Sequence, residues 1–138
     1  MPRVCSMSLY PQAIEVITPV EPDPAGLLVR YSFDEGSGEL ATDASGQGNH
    51  GTVVGQPQWV AGVDGGAIFF DGMNDYVSAE KSLLSDLGQF TIACWIKTDM
   101  SSADRSGLVG QNDCVEYGFA TPNTLQIWTP SGGSLDYT

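Results

Sequence analysis

Positive charge is what this chain of 138 residues most lacks: five Lys and Arg stand against seventeen Asp and Glu, for a net charge of −12. Binding a phosphate backbone takes clustered cations, so nucleic acid is excluded as a partner. Long apolar runs are missing too, and none approaches the roughly 20 residues that cross a bilayer as a helix. No membrane span is expected. The three cysteines, Cys5, Cys94 and Cys114, leave one unpaired whatever the other two do, so no disulfide framework can be argued from them. Histidine occurs once, at His50. Neither His nor Cys recurs around it at ligand spacing, which makes it a poor zinc ligand. A lone imidazole in a glycine turn is equally poorly placed for a hydrolytic triad, so His50 reads as a turn residue. The opening M-P-R-V-C-S-M-S-L-Y-P-Q carries polar interruptions where a secretory signal would carry an unbroken apolar stretch, so no export signal is read there.

What the chain does have is glycine, aromatic and acidic residues interleaved in short extended runs. Trp59 to Val77, W-V-A-G-V-D-G-G-A-I-F-F-D-G-M-N-D-Y-V, reads as strand, tight turn, strand. Gly65 and Gly66 permit a turn or a close backbone approach, and Asp71 to Asp75 supply turn chemistry before Tyr76 and Val77 resume an extended run. Upstream, Val29, Tyr31 and Phe33 alternate with Leu28, Arg30 and Ser32, the period of a half-buried strand. Thr52 to Val54, Leu108 to Val109, Val115 to Phe119, Leu125 to Thr129 and Leu135 to Thr138 are further short strands separated by turn signals. Phe90 to Thr98 carries the strongest strand pattern, with Cys94 expected as a small core residue beside Phe90, Ile92 and Ile96. Leu83, Leu84 and Leu87 fall at helical spacing before Gly88, which suggests a turn or two of helix, the one helical candidate. Many short strands with regular turns predict an all-β, antiparallel sandwich.

Residues 1–26 form a separate extension. Ala13 to Thr18 could make a short strand, and Val20-Glu21-Pro22-Asp23-Pro24-Ala25-Gly26 reads as a semi-rigid proline linker. The sandwich is expected over 27–138.

Four blocks, Tyr31 to Gly38, Asp43 to Gly51, Trp59 to Val77 and Phe90 to Lys97, resemble in order and approximate spacing the laminin-G-like jelly-roll family of concanavalin-A-like β-sandwiches. The resemblance implies an antiparallel jelly-roll sandwich and an extracellular protein whose export signal lies upstream, appended to other domains of a longer chain. It also implies later strands, including a Trp-His strand, an aspartate-glycine turn and an Ile-Asp-Glu-type final strand, that do not occur in this sequence. An incomplete domain with exposed apolar faces and sheet edges is therefore expected.

Three chemistries suggest themselves. Calcium takes roughly six to eight oxygens, and Asp43, Asn49, Asp71 and Asp75, with Asn74 and glycine-freed carbonyls, could supply them. Family members commonly hold a calcium beside the aspartate loop, which by position points first to Asp43. The same residues are also ordinary turn formers. Trp95 and Trp128 lie on the opposite faces of their strands from the apolar positions and could stack on a sugar ring, or could pack as core. Carbohydrate or an extracellular glycoprotein is the expected partner. Glycoside hydrolases share this architecture, yet no E-x-D-x-x-E occurs, and Glu21-Pro22-Asp23 begins that pattern only inside the linker. Glu116 is the single acid of its strand. A non-enzymatic binding or adhesion module is expected, with a spacer or degenerate piece of a larger secreted protein as the alternative and a hydrolase relative third.

Overall fold

A computed structural model describes residues 26–85, 87–98, 106–112 and 114–138. The expected strand over 13–18, the proline linker and Cys5 lie outside the described residues, as does the connection over 99–105. The architecture is all-β with every strand pair antiparallel, and no described residue is helical. Among the described residues no helix is long and apolar enough to cross a membrane. The chain divides into two compact units, Met1–Lys81 and Ser82–Thr138.

The first unit contains β1 (Leu40–Ala41), β2 (Gly51–Val54), β3 (Gln58–Ala61), β4 (Gly66–Phe69) and β5 (Tyr76–Ser78). They form a three-stranded sheet in the order β1-β2-β5 and a β3-β4 hairpin. In the hairpin Trp59 faces Ile68 and Ala61 faces Gly66, so the glycine doublet closes it where the sequence places the turn. The segment before β1 alternates over its first part, with Leu27, Val29 and Tyr31 half-buried and Leu28 and Arg30 exposed, but Ser32, expected on the exposed face, is half-buried like Phe33. It joins a partner only through an isolated bridge between Tyr31 and Asp43. Phe33, at φ 59°, then turns the chain out of the extended region. Ala41 and Val53 are the buried apolar side chains here. The same unit holds an aromatic run, Tyr31 to Phe33 at 5.9 Å and Phe33 edge-on to Trp59 at 6.4 Å.

The second unit is a four-stranded meander of β6 (Ser106–Gln111), β7 (Val115–Thr121), β8 (Thr124–Thr129) and β9 (Gly133–Tyr137) in sequence order. Val115 is its fully buried side chain, β8 is half-buried along its length, and β9 is exposed throughout.

Three expectations fail here. Ser82 to Ser85, Leu87 and Gly88 are not helical, because Gln111 and Cys114 take the backbone groups a helix would use internally. Leu84 N donates to Gln111 Oε1 (2.8 Å), and Cys114 Sγ donates to Leu84 O (3.2 Å). Phe90 to Thr98 enters no strand ladder. Cys94 is consequently exposed rather than in the core, since only a sheet would hold its alternating face against a second layer.

Candidate functional site

Two polar constellations gather in the first unit, one of them built around Asp43. The Tyr31 to Asp43 bridge brings the Arg30 amide over the carboxylate, and the following glycine-rich loop returns Asn49 to it. Oδ1 accepts the N–H of Arg30 (3.0 Å) and of Ser45 (2.8 Å), while Oδ2 accepts the Ser45 hydroxyl and the Asn49 N–H, both at 2.8 Å. Asp43 is 7% exposed. Burial pushes its carboxyl up, but the four converging donors outweigh it and hold the group well below the usual carboxylate range.

Asn49 is committed just as fully. Its Nδ2 donates to Leu28 O (2.8 Å), its Oδ1 accepts from Lys81 Nζ (2.9 Å), and its carbonyl accepts the Tyr31 hydroxyl (2.8 Å). Burial, and then the Asp43 charge, push the Tyr31 phenol up, which keeps it a donor. The Asp43 amide donates to His50 Nδ1 (3.1 Å), tying both ends of the loop together. Glu35 Oε1 accepts the Thr42 N–H (2.6 Å), and its enclosed Oε2 has no hydrogen-bond partner among the described residues. With two donors on each carboxylate oxygen of Asp43 and every polar side-chain atom of Asn49 engaged, these two residues act as a clasp that closes the loop.

This clasp sets an acid limit. The folded state keeps Asp43 ionised where the unfolded chain takes up a proton, near pH 3.9 for an unperturbed Asp, so the stabilisation is whole above that value and drains away as pH falls below it. Melting temperatures of wild type and Asp43→Ala should therefore converge between about pH 5 and pH 2. A constant gap across that range would show that Asp43 carries no such linkage.

The second constellation is an open cleft of about 370 Å³ lined by Gly55, Gln56, Asp71, Asn74 and Asp75. Pairing of β2 with β5 sets Val54 opposite Tyr76, so Gly55 and Gln56 emerge beside Asp75. Gly55, at φ 88°, leaves no room for a Cβ, whose place is taken by Asp75 Oδ1. Asp75 Oδ1 accepts the Gln56 N–H (2.8 Å) and its Oδ2 the Asp71 N–H (3.1 Å). Asp71 Oδ1 caps its own turn by accepting the Met73 N–H (2.8 Å) and leaves Oδ2 outside these bonds.

The candidate ligands thus separate into two pairs, Asp43 with Asn49 and Asp71 with Asp75. Among the described residues, no group of three or more His, Cys, Asp or Glu side chains is placed to hold a metal ion. Trp95 is 60% exposed in its extended segment, Trp128 is half-buried on β8 opposite Glu116, and no ring contact joins them among the described residues. The sequence singles out neither Gln56 and Gly55 as cleft residues nor Ser45, Tyr31 and Lys81 as partners of the loop. Comparison of the chain with family models, with curated proteins and with solved structures gives no match.

Proposed function

We propose that the chain is a non-catalytic extracellular binding or adhesion module on the laminin-G-like jelly-roll plan, with carbohydrate, free or on a glycoprotein, as its ligand class. The open polar cleft carries this reading. Carboxylate and amide groups of Asp71, Asn74, Asp75 and Gln56 line it, the mixture that accepts sugar hydroxyl hydrogens and donates to ring oxygens. Exposed rings of Phe70 and Tyr76 flank the acidic turn in sequence. A panel of neutral, amino and sulfated polysaccharides tests it by pull-down. At least one glycan should be retained, and Gln56→Ala, Asn74→Ala or Tyr76→Ala should weaken retention about tenfold, or about 1.4 kcal/mol, with the β-sheet circular dichroism unchanged. Retention of none, or retention indifferent to all three substitutions, would sink the carbohydrate reading.

Calcium is the cofactor that belongs to this proposal, and Asp71 is its best anchor because Oδ2 stands outside the turn's own bonds. Asn74 and Asp75 complete the set of side-chain oxygens, with backbone carbonyls and water supplying the rest of a shell. Asp43 and Asn49 serve the loop instead. A cation that binds only the folded state adds about 2.7 kcal/mol at a hundredfold excess over Kd. Melting should rise by several degrees in millimolar calcium relative to chelator, and Asp71→Asn should abolish the rise. Identical melting in the two buffers would remove the metal.

A second reading, a structural spacer of a larger secreted protein with no ligand of its own, draws on the thin interior: Ala41, Val53 and Val115 are the buried apolar side chains among the described residues. That reading predicts no retention on any glycan and no calcium effect together.

A further inference from the structure

We draw no further inference here: the strongest candidate, the extended segment Phe90 to Thr98 with its exposed Trp95 and Ile96 and no strand partner, is an unpartnered apolar face, and nothing in the structure shows what covers it.

Discussion

Gly66→Ala is expected to destabilise the first unit by about 4 kcal/mol or more, at the upper end of what single substitutions do. Gly66 opens β4 with its N–H on Asp34 Oδ1 (2.7 Å). The position a Cβ would take is already filled by the Phe33 carbonyl, with the Phe33 carbonyl carbon at 2.7 Å and Asp34 Cα at 3.1 Å behind it. These are backbone atoms, so no side chain can rotate out of the way. The Phe33 segment is held from the other side by its left-handed φ and by the packing of its ring between Tyr31 and Trp59. Relief therefore requires separating the 33–34 turn from the hairpin, which breaks the Asp34 hydrogen bond as well. Gly72→Ala is the matched control: its φ of 77° is positive, yet nothing lies within 4 Å of the added carbon. The expected cost there is only about 1 kcal/mol of backbone strain. Urea unfolding of both variants decides the matter, and comparable midpoints would mean that the close approach at Gly66 is not a constraint.

The same pair of residues shows what a sequence can and cannot disclose. Gly65-Gly66 is legible as a hairpin closure because flanking apolar runs end there. That Gly66 must also admit the carbonyl of Phe33, far upstream, is invisible, since nothing local encodes the encounter. Short strands with clear turn chemistry, β2 to β5 and β6 to β9, are legible for the same local reason. Phe90 to Thr98 is the instructive failure. Alternation makes a segment fit to be a strand, but a ladder needs a partner, and partners are set by the rest of the chain. At Leu83, Leu84 and Leu87 the spacing suits a helix, yet the Gln111 side chain offers the Leu84 amide a bond from 27 positions away, and one short apolar turn has little cooperative stability with which to compete.

The acidic residues divide along similar lines. Asp71, Asn74 and Asp75 are sequence neighbours and legible as a set. Gly55 and Gln56 reach them only through the β2-β5 register, which no turn rule reveals. Asp43 is legible as an oxygen donor in a glycine-rich loop, and an aspartate two residues before a serine is an ordinary signal for a side chain that bonds its own backbone. Its other two donors, Arg30 thirteen residues before and Asn49 six after, decide between a ligand for a cation and an anchor for the chain. Arg30 arrives through the bridge at Tyr31, and Asn49 on the returning glycine-rich loop.

From that anchoring role comes the second large effect. Asp43→Ala removes both acceptor oxygens and leaves the amides of Arg30, Ser45 and Asn49 without partners in a site closed to most solvent, while the Ser45 hydroxyl keeps only its longer bond to Leu28 O (3.3 Å). An unsatisfied buried donor costs about 1–3 kcal/mol. Water entering the vacated space can serve some of the four, so the net loss is expected on the order of 3 kcal/mol. Asp43→Asn distinguishes the physical cause from mere volume. Asparagine fills the same space, but it replaces one acceptor oxygen with an NH₂ that points donors at donors, so it should recover little of the loss. Near-wild-type stability of Asp43→Asn would show that packing, not the convergence of donors on a carboxylate, is what the residue contributes. Hydrogen exchange adds a local readout, because the Asn49 amide should lose protection in both variants while amides of β7 and β8, in the other unit, keep theirs. Loss spread evenly over both units would mean that Asp43 governs global unfolding rather than closure of its own loop.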